Sequence, residues 1–74
     1  MRDVVVGGKY RHFKNREYVV LCVAKDCDTL DDIVVYKALY GNEDIWTRKK
    51  DDFLSKVDKK KYPDIVQEYR FELI

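Results

Sequence analysis

Two stretches rich in β-branched residues constrain the fold most: YVVLCVA at residues 18–24 and IVVYKALY at residues 33–40. Such residues favour extended backbone, and charged or turn residues bound both stretches, so each predicts a β-strand. Neither alternates between apolar and polar residues, as a strand with one solvent-exposed face would. The second face of the predicted sheet therefore needs cover, from the C-terminal segment, from strong curling of the sheet or from a second copy of the chain.

Shorter elements flank these strands. Residues 9–14 (KYRHFK) alternate, with Tyr10 and His12 on one face. Residues 45–49 (IWTRK) follow a GNED turn and predict the return strand of a hairpin. Residues 69–73 alternate cleanly and predict a closing strand. Several short strands joined by tight turns predict a meander that curls into a small barrel.

The region after the hairpin changes pattern. In residues 51–57 (DDFLSKV) the apolar residues share one side of a helical turn, with Asp51 as the predicted N-cap. Pro63 suits the first turn of a second short helix. The lysine-rich residues 56–61 between them predict a solvated connection.

Size and charge limit what the chain can do. A chain of 74 residues makes at most one domain and buries roughly 60% of its unfolded surface, so its stability margin is thin. A partner subunit, here a homodimer, is one way in which small folds gain stability. Lys plus Arg number 15 against 14 for Asp plus Glu, a net charge of +1. That balance argues against a dedicated duplex-DNA binder but allows a local basic patch.

The cysteines and the apolar stretches indicate the compartment. Cys22 and Cys27 have no second pair with which to complete a zinc site, and they are too few for a disulfide-stapled secreted domain. Cys22 lies in the middle of a predicted strand and is expected to be buried. No apolar stretch reaches the length of a signal peptide or of a membrane span. We expect a cytoplasmic protein without a membrane partner.

Four landmarks stand in a fixed order: GKYRHFK at 8–14, VVYKALYG at 34–41, WTR at 46–48 and FL at 53–54. In this order and spacing the chain resembles the small bacterial family known as domain of unknown function sixteen-fifty-three, over about residues 8–57. Lys49 departs from the family pattern, which tends to have proline there.

The resemblance implies an SH3-like β-barrel, in agreement with the strand pattern, and no assigned activity. The predicted fold is therefore mainly β: one small SH3-like barrel domain over residues 1–74, with a short helical turn and a C-terminal closing segment.

Aromatic residues and cations near the predicted hairpin are the strongest candidates for a binding surface. Side-chain parity places Tyr36 inside the barrel and leaves Tyr40, Trp46 and Arg48 near its rim, together with Tyr10. The alternative is that these aromatics all belong to the core. At a rim they suit a peptide groove, and aromatics flanked by cations also stack nucleobases.

His12 is the only histidine. A lone histidine in a short strand is more often structural than catalytic, although Asp28 or Asp31, if brought near, would make it a general base. The chain has no phosphate loop, nucleophile elbow or zinc-ligand spacing, and its acidic run lacks the glycine and glutamate of a calcium loop. No catalytic residue, metal or cofactor is predicted.

Three functions follow, in order of preference. The first is a non-catalytic protein- or peptide-interaction module. The second is nucleic-acid or nucleotide binding through the same aromatics with Arg48 and the lysines beside it, which the net charge of +1 disfavours. The third is a small enzyme centred on His12. The candidate ligand-binding residues are Tyr10, His12, Tyr40, Trp46 and Arg48.

Overall fold

The computed structural model describes residues 2–74. Neighbouring strands pair antiparallel in a five-stranded sheet of order β4-β3-β2-β1-β5. The mainly β prediction is confirmed, but the sheet curls without closing, and β4 and β5 are its two edges. The elements are β1 (Lys9–His12), β2 (Arg16–Lys25), β3 (Asp32–Ala38), β4 (Ile45–Lys49), α1 (Lys50–Phe53) and β5 (Phe71–Leu73).

A β-bulge in β2 bends the sheet. Val20 pairs with Tyr36 and Cys22 pairs with Val35, which leaves Leu21 as an extra residue. An extra residue in one strand bends that strand and increases its twist. The bulge also changes which residues face outward, so Cys22 lies on the convex face and is exposed. The prediction of a buried Cys22 is therefore wrong.

The core lies on the concave face of the curled sheet. The ring of Phe53, which is 0% exposed, stacks on Phe71 with ring centroids 4.2 Å apart. One ring comes from α1 and the other from β5, so these two elements cover the face together. The buried cluster comprises Tyr10, Val20, Val34, Tyr36, Phe53 and Phe71.

The helical turn after β4 is shorter than predicted and begins earlier. α1 covers Lys50–Phe53, and its N-cap is Lys49 rather than Asp51. The helix starts directly where β4 ends, so no residue is left for a separate cap. Of the predicted helical apolar side, Phe53 and Val57 are buried, and Leu54 packs against the core.

The second predicted helix, from Pro63, is absent. Residues 54–70 form turns and bends, with one isolated bridge between Lys56 and Tyr69. The Val57 amide donates to the Glu68 carbonyl at 2.8 Å. A loop tied at both ends in this way has no room for a helix of typical length, about 11 residues.

The two faces of the sheet differ in cover. Val4 and α1 lie over part of the concave face, whereas on the convex face Leu21 and Ile45 are exposed and Val35 is half-buried. α1, the chain ends and curling cover the concave face only, so the cover expected for the second face stays a prediction. Within residues 2–74, no helix is long and apolar enough to cross a membrane.

Candidate functional site

One part of the concave face is not covered by α1. Cross-strand partners share a face of a sheet. Trp46 pairs with the buried Tyr36 and Arg48 pairs with the buried Val34, so β4 directs both side chains onto the concave face. Trp46 is nevertheless 50% exposed. We call this uncovered part the open half; it consists of His12, Tyr18, Tyr40, Trp46, Arg48, Asp52 and Arg70.

Tyr10 does not belong to the open half. Its side chain is 2% exposed, its hydroxyl accepts the Val5 N–H at 2.9 Å, and its ring packs edge-on against Phe53 at 5.2 Å. The predicted rim position of Tyr10 is corrected to a core position, because β1 pairs with β2 on one side and β5 on the other.

Two tyrosines form one wall of the open half. The hydroxyls of Tyr18 and Tyr40 share a hydrogen bond at 2.7 Å, and the guanidinium of Arg16 lies 4.6 Å from the centre of the Tyr40 ring. Burial raises the pKa of Tyr18, and the hydrogen bond with Tyr40 raises it further. Tyr18 therefore stays protonated and holds Tyr40 at the rim.

Two arginines share one carboxylate on the opposite wall. Arg48 Nη1 lies 2.6 Å from Asp52 Oδ2, and Arg70 Nε lies 3.8 Å from Asp52 Oδ1. Arg48 Nε also donates to the Tyr36 hydroxyl at 3.4 Å. Burial alone would lower the pKa of Arg48, but its hydrogen bonds with Tyr36 and Asp52 raise it overall. Two positive charges against one negative charge leave this wall with a net charge of +1.

His12 lies between these walls as a neutral side chain. Its Nδ1 accepts the Lys14 N–H at 3.1 Å, so the ring proton resides on Nε2. Burial lowers the pKa of His12 to about 4, with further lowering from Arg48, Arg70 and Lys14. Its ring packs edge-on against Phe71 at 4.9 Å.

The acids proposed as partners of His12 are elsewhere. His12 pairs with the first residue of β2, Arg16, whereas Asp28 and Asp31 follow the last. The ten residues of β2 span roughly 30 Å along the strand. The predicted pairing of His12 with either acid is therefore wrong.

The edge strand β4 borders the open half. Ala38 N–H donates to the Asp44 carbonyl at 2.9 Å. Hydrogen-bonded and non-hydrogen-bonded residue pairs alternate along an antiparallel ladder, so this bond shows which residues of β4 bond to β3. The backbone N–H and C=O of Trp46 therefore bond to β3, whereas those of Ile45 and Thr47 point away from the sheet. Neither Ile45 nor Thr47 has a backbone partner on that side among residues 2–74.

Two shallow depressions lie at the ends of the sheet. One, of about 480 Å³, adjoins the open half at Tyr40 and Arg16. The other, of about 400 Å³, lies between Asp31 and Lys49, whose charges pair at 3.7 Å. Because these two charges are already paired, the second depression has little free charge with which to bind a ligand. The candidate site is therefore extended by the first depression alone.

The acidic connection between β2 and β3 brings three metal-type ligand atoms together, those of Asp26, Cys27 and Asp28. The Asp26 carboxylate already accepts the N–H groups of Asp28 and Thr29, at 2.9 and 3.1 Å. These bonds lower the pKa of Asp26 and account for the loop as a capped turn.

Three members of the open half were not predicted from the sequence: Tyr18, Asp52 and Arg70. In the sequence, Tyr18 cannot be told from the other apolar residues of the strand at 18–24. Arg70 precedes β5, and it is brought back towards Asp52 by the bridge between Lys56 and Tyr69 and by its own N–H, which donates to the Ser55 carbonyl at 2.9 Å. No local pattern signals that approach.

Comparisons with known proteins agree with this fold. A family model described as Protein of unknown function (DUF1653) matches residues 8–73. The crystal structure of a DUF1653 protein from Bordetella bronchiseptica is similar, with a TM-score of 0.75 and 27% identity over 100% of this chain and 87% of that chain. No curated protein matches the sequence. The family match extends the resemblance seen in the sequence to the C-terminal strand.

Proposed function

This chain belongs to the DUF1653 family, whose name assigns no activity, and we propose that it is a non-catalytic module that binds an extended segment of another protein. The segment adds to the sheet along β4 and lays alternate side chains over the open half. The observation that carries the proposal is a free edge strand directly beside a half-exposed tryptophan, Trp46.

Strand addition suits the chemistry of β4. The outward N–H and C=O groups of Ile45 and Thr47 supply main-chain hydrogen bonds, and side-chain contacts to the concave face supply specificity. Trp, Tyr and Arg are the residues that most often dominate binding energy, and Trp46, Tyr40 and Arg48 stand together on this face. Because β4 has five residues, the interface is small, and we expect transient binding.

The alternative functions fit the geometry less well. Phosphate recognition needs unpaired cations, but Lys49 lies 3.7 Å from Asp31 and Lys50 lies 2.9 Å from Asp3. Arg48 pairs with an acid of α1, and the wall that it forms with Arg70 keeps a net charge of only +1. A general base works best with a pKa near the operating pH, whereas the pKa of His12 is about 4.

The test is a selection of short linear peptides from a displayed library, followed by NMR mapping. We expect enriched peptides to shift the backbone amides of Ile45 and Thr47 and the indole signal of Trp46. Binding that shifts neither β4 nor Trp46, or enrichment of no peptide, would contradict the proposal. Binding of single-stranded oligonucleotides with steep salt dependence would favour the nucleic-acid alternative.

A pair of variants at Thr47 isolates the edge. The N–H of Thr47 points away from β3, so Thr47→Pro removes a donor that the fold does not use, and proline is tolerated on such edges. We expect Thr47→Pro to abolish peptide binding with the fold intact. Thr47→Val keeps the N–H and is the matched control, which should bind as the wild type does.

A further inference from the structure

The arginine wall of the open half has more hydrogen-bond donors than its single carboxylate can use. A guanidinium carries five N–H donors. Arg48 uses Nε on Tyr36 and Nη1 on Asp52, and Arg70 uses Nε on Ser55 at 3.3 Å. Among residues 2–74, Arg48 Nη2 and both terminal nitrogens of Arg70 have no hydrogen-bond partner.

His12 contributes one more donor to the same place. Because its Nδ1 accepts the Lys14 N–H, its Nε2 carries the proton. The His12 ring and the Arg48 guanidinium both lie against Phe71, at 4.9 and 5.8 Å from its ring centre. Donors of His12 and Arg48 thus lie beside the Phe71 ring, and Arg70 adjoins them through its contact with Asp52.

Asp52 is held by one close contact, with Arg48 Nη1 at 2.6 Å, and only weakly by Arg70. Its side chain is 45% exposed, and the contact with Arg70 at 3.8 Å is longer than a hydrogen bond. Asp52 belongs to a helix of only four residues. A second carboxylate therefore has room to accept from the donors that Asp52 leaves free, or to replace it.

We propose that Arg48, Arg70 and His12 form a carboxylate-binding site, which Asp52 occupies in the free protein and an acidic side chain of the bound segment takes over. The proposal deepens the proposed function and rests on it for the identity of the carboxylate's owner. A carboxylate suits the site because Asp52 already places one between the two arginines, and because guanidinium groups bind carboxylates bidentately.

The first experiment uses sodium acetate as a bare carboxylate at pH 7, with sodium chloride at equal ionic strength as the reference. Since His12 is the only histidine, its imidazole gives a single set of NMR signals that reports on the site. Asp52→Asn removes the resident competitor while keeping hydrogen-bonding capacity. We expect it to bind acetate about tenfold more tightly than the wild type, and Arg70→Gln to lose the binding.

Matched controls separate this effect from general charge. Lys60→Gln changes the net charge by the same amount as Arg70→Gln at an exposed loop position and should bind acetate like the wild type. A purely structural role for Asp52 predicts no gain in acetate binding. An unchanged His12 signal in both the wild type and Asp52→Asn would overturn the proposal.

The selected peptides distinguish the two proposals. If peptides bind at β4 equally well in the wild type, Asp52→Asn and Arg70→Gln, the module stands and the carboxylate site is overturned. If acetate binds as expected but no peptide shifts Ile45 or Thr47, the carboxylate site stands and the module fails. Support for both requires an acidic residue in the selected peptides whose replacement by its amide weakens binding to the wild type.

Discussion

Aromatic side chains occur in both halves of the concave face, the packed half beneath α1 and the open half, but they pack differently in each. In the packed half, Phe53 and Phe71 stack in parallel and exclude solvent. In the open half, Tyr18 and Tyr40 meet edge-on at 5.5 Å, with their hydroxyls joined at 2.7 Å. Aromatic content alone therefore does not separate core from site.

The length of α1 sets the boundary between the halves. Its four residues bring one phenylalanine over the sheet, which is enough to seal Val34 and Tyr36 but not Trp46. The open half exists because the cover ends early.

The largest expected difference between the halves is in stability. Phe53→Ala removes a side chain that is 0% exposed, so we expect the free energy of unfolding to fall by about 3–5 kcal/mol. Tyr40→Ala, in the open half, should lower it by only about 1 kcal/mol. Chemical denaturation measures both, and equal losses would remove the distinction between the halves.

Acid should lower the free energy of unfolding through His12, a residue of the open half. Its pKa is about 4 in the folded chain and about 6.5 when unfolded, so the unfolded state binds more protons between these values. The contribution of His12 to the free energy of unfolding is therefore complete above about pH 6.5, falls as the pH drops to about 4 and is constant below that. Because His12 is half-exposed, we expect a loss of roughly 1–2 kcal/mol.

The His12→Gln variant isolates the contribution of His12 to the pH dependence of stability, since glutamine does not titrate. The difference in unfolding free energy between wild type and His12→Gln should follow the stated pH window, while acidic residues contribute equally to both. A difference that does not change between pH 7 and pH 4 would show that neither burial nor the neighbouring cations lower the pKa of His12.

The smallest effect concerns the hydroxyl pair. Tyr18→Phe and Tyr40→Phe each remove the hydrogen bond between the two hydroxyls. Each should lower the free energy of unfolding by about 0.5–1 kcal/mol. Because both changes break the same bond, the double variant should lose less than the sum of the single losses. Additive losses, measured by denaturation, would mean that the wall of the open half is not held by this bond.

Local patterns in the sequence predicted the strands and part of the site. The β-branched runs locate β2 and β3, and side-chain parity correctly places Tyr36 on the buried face. Trp46 shares that face and is exposed because α1 does not reach it. Non-local contacts were beyond such patterns. Tyr10 is buried because β5 pairs beside β1, and Arg70 reaches Asp52 only through the loop that precedes β5.

One further error had a different origin. The prediction of a buried Cys22 assumed a regular strand over residues 18–24, and the bulge at Leu21 breaks the alternation of that strand. Alternation in a sequence shows which residues favour a strand, but an inserted residue is visible only against the partner strand.

The bulge has a consequence for which changes in the gene the protein can tolerate. Leu21 is 41% exposed, so its side chain is replaceable, yet its backbone supplies the bend that lets Phe71 on β5 lie 5.4 Å from Tyr36 on β3. A codon substitution there should be nearly silent, whereas a codon deletion should straighten β2, flatten the sheet and dismantle both halves of the concave face. Position 21 should vary in identity among relatives and never be missing.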